Sequence, residues 1–349
     1  MKTLCILCLF LGYCGGLLPL YAQKTFRVMT YNVENLFDCR HDTLKEDTEF
    51  LPDSKRRWTL SRYWKKLNQL SKVIAAVGEE RIPDLIGLCE VENDSVMVDL
   101  TRRSALRTLG YQYIMTHSPD VRGIDVALLY QPGFFQPVVS HEVVIPSLSG
   151  GFRPTRNILY VKGLTVTGDT LHVVVCHFPS RLGNSQRSRR HRMLAARTLR
   201  MLVDSVRTSV TEPDIIVMGD FNAGLKDEIF RKALHAVPAV DTHFMPGSSD
   251  RLYEPLCVKD HAKEIKASYR YKGIWEDIDH ILVSGALLNE ARCFYTHNGA
   301  RTVFALPFMY EKDATYGGER PFRTYQGPFY RGGVSDHFPV LVDFVLREE

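Results

Sequence analysis

The sequence predicts an α/β protein, a four-layer sandwich in which two mixed, largely antiparallel β-sheets are flanked by helices. Short apolar segments of strand character alternate along the chain with amphipathic, helix-like segments. A hairpin signal at residues 168–169 interrupts that alternation, which argues against a purely parallel sheet. The 349 residues are 45% hydrophobic and 24% charged, so one domain can bury a large core between such layers.

The order of the predicted elements follows from local periodicity and from helix-stop residues. Apolar residues recur at three- and four-residue spacing between residues 60 and 77, which predicts an amphipathic helix. A second helix is predicted around residues 96–109, ended by Gly110, and a long basic helix at residues 185–207. Strands are predicted at residues 25–32, 85–89, 111–116, 125–130, 157–162, 171–177, 214–219, 278–284 and 338–346.

The first 22 residues have the pattern of a secretory signal peptide. A basic start precedes an apolar run over residues 4–18, and a small residue follows at Ala22, where we expect cleavage. Glycines interrupt the run, so we expect no stable membrane span, although a membrane anchor or a lipid on Cys14 is the alternative. The protein is therefore expected to be secreted or periplasmic, with residues 23–349 forming a single domain.

Charge and cysteine content exclude little by themselves. The formal net charge of +4 is too mild to indicate nucleic-acid binding without further signals. Three of the eight cysteines lie in the predicted signal peptide, and the spacing of the other five matches no zinc pattern. Cys89 and Cys176 lie within apolar strand-like runs, so we interpret them as core residues.

Polar residues cluster where the predicted apolar strands end. A single carboxylate at such a position is usually a turn or cap residue, but a whole set indicates a shared site. Carboxylate and amide oxygens favour Mg²⁺, Mn²⁺ or Ca²⁺ over zinc, and a histidine held by a carboxylate can accept a proton from water. The set comprises Asn32, Glu34, Glu90, His177, Asp220, Asn222, Asp279, Asp336 and His337.

Six segments in a fixed order resemble a known superfamily. They are YNVENLFD (31–38), LIGLCEVEN (85–93), VVVCHFPS (173–180), IIVMGDFNA (215–223), DIDHILVS (277–284) and GVSDHFPV (333–340). Together they resemble the endonuclease/exonuclease/phosphatase superfamily, and the resemblance runs from about residue 26 to the C-terminus. It implies a deoxyribonuclease I-like fold and a catalytic domain over residues 23–349.

The resemblance implies a metal side of the site, occupied by Mg²⁺ or by Mn²⁺ or Ca²⁺. Glu90 is similar to the main metal ligand of the family. Asn32 and Glu34 stand where the family places residues on the metal or its waters, and Asp336 resembles a further metal-side carboxylate. Several family members carry Asp at the position of Glu34, so the coordination at this position stays open.

The resemblance also implies a catalytic side. Asp279 and His337 are similar to the carboxylate–histidine pair of the family, with His337 as the general base. Asp220 and Asn222 resemble the pair that orients the attacking water and the phosphate. His177 is similar to the second catalytic histidine, which steadies the phosphate or assists the leaving oxygen.

Two arginine-rich segments bear on the substrate. Seven arginines follow His177 between residues 181 and 200, and aromatic and arginine side chains interleave over residues 316–331. Such segments can track a phosphate backbone and stack bases, although a solvated helix face and a packed loop are the plainer interpretations. The substrate contacts predicted from them are Arg181, Arg187, Arg320, Arg323 and Tyr325.

These segments favour an endonuclease acting on nucleic acid or another polyanionic phosphodiester. The alternatives are a sphingomyelinase-like or inositol-phosphate-type phosphoesterase and an inactive phosphate-binding module. A lipid phosphodiesterase would need an exposed apolar docking element, for which the sequence offers only residues 134–135 and 304–310 as weak candidates. No protein partner is predicted.

Overall fold

A computed structural model describes residues 24–78, 81–147, 153–181, 186–240, 250–257 and 267–347. The strands are β1 (Lys24–Leu36), β2 (Leu85–Val91), β3 (Gln112–Met115), β4 (Asp125–Tyr130), β5 (Phe135–Val143), β6 (Ile158–Thr165), β7 (Thr170–His177), β8 (Asp214–Asp220), β9 (Ala236–Pro238), β10 (Leu252–Glu254), β11 (Tyr269–Tyr271), β12 (Ile274–Glu276), β13 (Asp279–Ser284), β14 (Phe294–Val303), β15 (Tyr310–Lys312), β16 (Glu319–Pro321), β17 (Tyr325–Gln326), β18 (Phe329–Tyr330) and β19 (Val340–Leu346). The helices are α1 (Leu60–Ala76), α2 (Asp94–Val98) and α3 (Gln186–Ser209). Short 3₁₀ turns lie at Thr48–Phe50, Ala105–Leu109, Gly285–Leu288 and Pro307–Met309, and π turns at Asp99–Arg103 and Phe230–Leu234.

Two large mixed sheets form the centre of the protein. The first has the strand order β14-β19-β1-β2-β4-β3, in which β1 runs parallel to β2 and antiparallel to β19. The second has the order β5-β6-β7-β8-β13-β10-β9, in which β7 and β8 are parallel and β13 is antiparallel to β8. The hairpin predicted at residues 168–169 joins β6 to β7. The predicted class of mixed sheets with outer helices is confirmed.

Side-chain alternation in β7 and β8 separates two cores. Because successive side chains of a strand point to opposite faces, a strand covered on both sides is apolar throughout. Inward side chains join the core between the sheets: Val173, Val175, Ile216 and Met218. Outward side chains pack in a second core with α3: Val174, Cys176, Ile215 and Val217. Helix α1 packs on the first sheet through Leu67, Leu70 and Ile74.

The predicted helix at residues 96–109 is shorter than expected. Asn93 caps α2 by accepting a hydrogen bond from the Val96 amide, but the helix ends at Val98 and continues only as a π turn and a 3₁₀ turn. The hydroxyls of Thr101 and Ser104 donate to backbone carbonyls one turn earlier, and Ser104 is extended. Hydroxyl side chains that compete for backbone groups disfavour a continuous helix.

Three edge strands were not predicted, the longer strands β5 and β14 and the three-residue strand β9. Strand β5 is largely exposed and contains Pro137 beside a register shift. Strand β14 has a register shift between Thr296 and Arg301. Edge strands face solvent and tolerate proline and bulges, so they lack the apolar alternation by which inner strands are recognised.

The residues that the structure describes test part of the predictions about membrane spans and cysteines. None of their helices has the length and apolar character needed to span a bilayer. Their five cysteines are thiols rather than disulfides, and Cys89 and Cys176 are fully buried as expected. The predicted signal peptide at residues 1–22 lies outside the described residues.

Gly219 allows β7 and β8 to approach closely beside the site. Its φ is 144°, and a Cβ at this position would lie 1.8 Å from the Cys176 carbonyl oxygen. We expect Gly219→Ala to lower the free energy of unfolding by about 3 kcal/mol, measured by urea denaturation, because the parallel pairing must open to accept a methyl group. Gly110→Ala is the control, since φ is 73° there and a Cβ would meet no atom within 4 Å apart from its chain neighbours; it should lower the free energy of unfolding by about 1 kcal/mol. Equal losses for both variants would contradict this account.

Candidate active site

The polar ends of several strands meet at one edge of the two sheets. In the second sheet, His177 at the end of β7 pairs in register with Asp220 at the end of β8. Strand β13 runs the other way, so its first residue, Asp279, lies opposite Asp220. Three predicted site residues are therefore neighbours because of strand direction and register.

His337 and Asp279 form the hydrogen bond predicted from the sequence. His337 Nδ1 lies 2.7 Å from Asp279 Oδ2, which also accepts a hydrogen bond of 2.6 Å from the Ser268 hydroxyl. Both His337 and Asp279 are buried, and the Tyr269 ring lies 4.7 Å from the imidazole. Burial alone would lower the pKa of His337, but the carboxylates of Asp279 and Asp220 outweigh it and raise the pKa to about 10.

Asp220 is the central carboxylate of the cluster. Its Oδ2 accepts a 3.0 Å hydrogen bond from Asn32 Nδ2, and its Oδ1 accepts one of 2.8 Å from the Asn222 amide nitrogen. The Nε2 atoms of His177 and His337 lie 3.6 Å and 4.0 Å from Asp220 Oδ2. Burial and the charge of Asp279 raise the pKa of Asp220 to about 7.

A β-bulge aims Glu90 at this cluster. The register of β2 shifts between Cys89 and Val91 against β4, and Glu90 has a φ of 69°. A bulge re-aims its side chain, and left-handed backbone at a non-glycine residue is costly and concentrates at functional sites. Glu90 Oε2 accepts a 2.8 Å hydrogen bond from the Asn35 amide, and Oε1 lies 3.9 Å from His177 Nε2.

His177 is a neutral histidine in this environment. It is 3% exposed, and burial together with the charges of Arg156 and Arg122 holds its pKa well below the usual value. Its Nδ1 has no hydrogen-bond partner among the residues that the structure describes. A neutral imidazole carries one N–H donor and one acceptor, so His177 can donate a hydrogen bond to a phosphoryl or leaving oxygen.

Arg156 is a site-supporting residue that the sequence did not single out. The Phe178 carbonyl accepts hydrogen bonds of 2.7 Å from Arg156 and 3.0 Å from Asn222 Nδ2. Arg156 is 4% exposed and pairs with Asp120 at 3.2 Å. It therefore fixes the backbone next to His177. An arginine just before an apolar strand carries no distinctive signal in one sequence.

Glu34 and Asp336 come together, but Arg323 lies against both. Arg323 donates to Asp336 Oδ2 at 2.6 Å, and its Nε is 3.5 Å from Glu34 Oε1. Glu34 Oε2 also accepts a 2.6 Å hydrogen bond from the Thr324 amide. Burial, followed by the charge of Asp336, raises the pKa of Glu34 to about 7. Arg323 was predicted to contact substrate, yet its guanidinium is engaged by the metal-side carboxylates.

The other four predicted substrate contacts differ in how accessible their side chains are. Tyr325 is a correction, because its ring is 4% exposed beside Trp58 and cannot stack a base. Arg320 pairs with Glu311 at 2.8 Å, and Arg181 makes a short ion pair with Glu276. Arg187 is exposed in the first turn of α3.

The arginine row of α3 is only partly a solvent face. Arg192 is 2% exposed, and Arg200 is buried and pairs with Asp204 at 2.7 Å. Arg200 and Arg181 are therefore engaged by acidic partners, Asp204 and Glu276, rather than offered to a substrate. Exposed members of the row are Arg187, Arg189, Arg190 and Arg197.

An exposed apolar hairpin, which the sequence did not reveal, lies beside the site. Strands β11 and β12 pair from Tyr269, the first residue of β11, whose ring lies on His337. Ile274 is 67% exposed and Trp275 is 38% exposed. Of the two segments proposed from the sequence, residues 134–135 are no such element, because Phe135 is buried in β5.

A second buried cluster is an ion network that supports the site. Glu254, Asp277 and His280 bring ligand-type atoms within 4.8 Å of one another, but Arg301 donates to Asp277 at 2.7 Å and so supplies the positive charge. His280 also contacts the Ala223 carbonyl at 2.8 Å, directly after Asn222. The cluster therefore holds the loop that carries Asn222.

The chemistry of the main cluster fits a hard divalent cation. Five carboxylates meet there, and few basic side chains lie among them. The carboxylates belong to Glu34, Glu90, Asp220, Asp279 and Asp336. The raised pKa values of Glu34 and Asp220 mark buried carboxyls whose negative charge is not fully compensated. Oxygen donors are the ligands that Mg²⁺, Mn²⁺ and Ca²⁺ prefer.

Solved structures with this fold include a phosphatase, a protein complexed with DNA and a catalytic domain with bound sulfate. A mannosyl-6-phosphatase from Bacteroides thetaiotaomicron matches with a TM-score of 0.54 and 14% identity, covering 92% of this chain and 100% of that one. Zebrafish (D. rerio) TDP2 complexed with a single-strand DNA product matches with a TM-score of 0.51 and 14% identity, covering 92% and 98%. The human Nocturnin catalytic domain with bound sulfate matches with a TM-score of 0.52 and 16% identity, covering 93% and 98%. These identities establish a shared fold only.

The family comparison covers nearly the whole described chain. A search of curated proteins found no match. The model of the Endonuclease/Exonuclease/phosphatase family matches residues 27–346, which include all six segments that carried the resemblance. Members of this superfamily are hydrolytic phosphoesterases that typically use divalent metals. The chain belongs to the endonuclease/exonuclease/phosphatase family.

Proposed function

We propose that the chain is a divalent-metal-dependent phosphodiesterase that cleaves nucleic acid as an endonuclease. The observation that carries the proposal is the 2.7 Å hydrogen bond between His337 and Asp279 within a cluster of carboxylates. Export through the signal peptide predicted at residues 1–22 is part of the same proposal, and N-terminal sequencing of exported protein would test it.

Each side of the cluster has a proposed task. Glu90 would hold the ion, with Asn32, Glu34 and Asp336 on the same side of the site. A bound divalent ion would polarise a phosphoryl oxygen and stabilise the charge that builds on it. The donor set of this side is rich in oxygen, which supports Mg²⁺, Mn²⁺ or Ca²⁺ as the ion.

The remaining residues handle the proton and the water. His337 accepts a proton from the attacking water at Nε2, while Asp279 holds the Nδ1–H tautomer and stabilises the imidazolium that forms. Asp220 and Asn222 orient the water and the phosphate. Neutral His177 donates a hydrogen bond to a phosphoryl or leaving oxygen, as its low pKa permits.

The exposed arginines of α3 support a polyanionic substrate. They follow His177 in sequence and offer positive charge to phosphates that flank the scissile one. A fold shared with a DNA-bound TDP2 and with a mannosyl-6-phosphatase accommodates both kinds of ester, so the loops of this chain decide the substrate.

A second candidate is a lipid or other apolar phosphodiester. Exposed Ile274 and Trp275 on the hairpin beside His337 favour it, because an apolar leaving group or a vesicle surface could contact them. The sequence also left an inositol-phosphate-type phosphoesterase and an inactive phosphate-binding module as alternatives, and no exposed feature of the hairpin favours either.

We expect labelled DNA or RNA to be cleaved faster than sphingomyelin vesicles or an inositol phosphate. Binding should weaken steeply with salt, because phosphate contacts release counterions. Arg187→Ala and Arg190→Ala should each lower the salt slope by about one unit. Arg107→Ala is the control, because Arg107 lies on the 3₁₀ turn Ala105–Leu109, outside α3, and this variant should leave the salt slope unchanged. Faster turnover of lipid or inositol phosphate would refute the nuclease assignment while leaving the metal chemistry intact.

A further inference from the structure

Arg323 sits between two carboxylates that come from distant parts of the chain. Glu34 lies within β1, where the pairing with β2 shifts register between Asn32 and Leu36, and Asp336 precedes the last strand. The guanidinium of Arg323 lies 2.6 Å from Asp336 Oδ2 and 3.5 Å from Glu34 Oε1. The carboxylate of Asp336 together with that of Glu34 raises the pKa of Arg323 further, so the guanidinium is a permanent charge.

Backbone pairing fixes Arg323 at this position. The Gly333 amide donates to the Arg323 carbonyl at 3.2 Å, and the Val334 amide donates to the Phe322 carbonyl at 2.7 Å. Gly333 has no room for a side chain, because a Cβ would lie 2.0 Å from the Phe322 carbonyl oxygen. Arg323 is therefore held across a tight antiparallel contact from the segment that carries Asp336.

A second basic side chain, that of Lys66, lies close to Arg323 and to the same carboxylates. Lys66, on α1, is 1% exposed and donates to the Glu34 carbonyl at 2.5 Å and to the Thr324 hydroxyl at 2.6 Å. It interacts electrostatically with Glu34, Asp336, Glu90 and Arg323. Glu34, Asp336 and Glu90 therefore share two basic side chains, Arg323 and Lys66, and Arg323 is the one that lies against the carboxylates of both Asp336 and Glu34.

We propose that Arg323 is a counter-cation that occupies Asp336 and Glu34 and limits the site to one divalent ion, held at Glu90. The inference rests on the proposed metal dependence but adds a count of ions to it. A second divalent ion at Asp336 and Glu34 would have to displace the Arg323 guanidinium or lie beside its positive charge. In addition, Asp336 Oδ2 already accepts from Arg323, so that oxygen is not free for a second ion.

The test measures ion binding directly, without substrate. Purified chain is equilibrated by dialysis against Mn²⁺, and free Mn²⁺ is quantified by electron paramagnetic resonance. Wild type should bind one ion. Arg323→Gln should bind two, or bind one at least about tenfold more tightly, because a repelling charge is gone and Asp336 is released. Arg323→Lys keeps the charge and should bind one ion as wild type does.

Arg320→Gln is the matched control. Arg320 lies in β16, just before Arg323 in sequence, and pairs with Glu311, so its loss should leave the ion count and affinity unchanged. Circular dichroism checks that each variant is folded; Arg323 is 36% exposed, so the loop should tolerate glutamine. If Arg323→Gln does not fold, the wild-type count still decides, and two ions per wild-type chain would overturn the inference.

The outcomes separate this inference from the proposed function. One ion at unchanged or weaker affinity in Arg323→Gln overturns the role of Arg323 and leaves metal dependence standing. A wild-type chain that binds no Mn²⁺ overturns both proposals. Tighter or additional binding in Arg323→Gln, with Arg320→Gln unchanged, supports the counter-cation.

Discussion

Glu90→Gln should lower turnover at least about a hundredfold and raise the concentration of Mg²⁺ or Mn²⁺ needed for half-maximal activity. Glutamine keeps an oxygen that can accept the hydrogen bond from the Asn35 amide, so the bulge at the end of β2 should persist. The variant loses the negative charge that faces His177 across 3.9 Å. Since shape is retained and charge is lost, a large effect would identify Glu90 as an electrostatic ligand.

The measurement is phosphodiester hydrolysis across a metal titration, with EDTA-treated enzyme as the baseline. Glu92→Gln is the matched control, because Glu92 lies two residues later in the same segment and accepts a hydrogen bond from the Asp38 amide instead. Burial raises the pKa of Glu92 to about 8, so a neutral side chain suits that position and metal dependence should not change. Full activity in EDTA, or equal effects of the two variants, would end the metal assignment.

Strand ends were predictable from the sequence because apolar runs mark where buried strands stop. His177 and Asp220 each close such a run, and Asp279 opens one. Parallel pairing of β7 with β8 and antiparallel pairing of β13 then bring the three residues side by side. The resemblance supplied the remaining step, since no local pattern connects His337 with Asp279.

Side-chain direction and loop contacts were not predictable in the same way. The direction of the Glu90 side chain depends on a β-bulge and a left-handed backbone conformation, which sequence periodicity does not reveal. Tyr325 belongs to an arginine- and aromatic-rich loop that resembles a binding surface, yet its hydroxyl donates to the Arg56 carbonyl and its ring is buried. Arg323 looked like a substrate contact because it belongs to the same segment, whereas its pairing with Asp336 and with Glu34 of β1 depends on the tertiary fold.

The pair of His337 and Asp279 should show the other large effect. We expect His337→Ala to lower the turnover number by about a thousandfold at every pH, the scale of losing a general base. Asp279→Asn should lower it by at least about a hundredfold, because the Nδ1–H tautomer and the imidazolium lose their carboxylate partner. A shared function requires that adding the second substitution cost little more than the first.

The pH–rate profile separates this pairing from a purely structural role. A general base works when deprotonated, so activity should rise with pH through the pKa of His337, which Asp279 and Asp220 raise to about 10 against the effect of burial. Without the charge of Asp279 that pKa falls, so the acidic limb of Asp279→Asn should move to lower pH by roughly one to two units. A bound cation would lower the pKa in both proteins, so the comparison is made at one saturating metal concentration. Asp277→Asn is the control, because Asp277 pairs with Arg301 rather than with His337, and its limb should stay in place. An acidic limb that does not move in Asp279→Asn, or full activity in His337→Ala, would show that another group takes the proton.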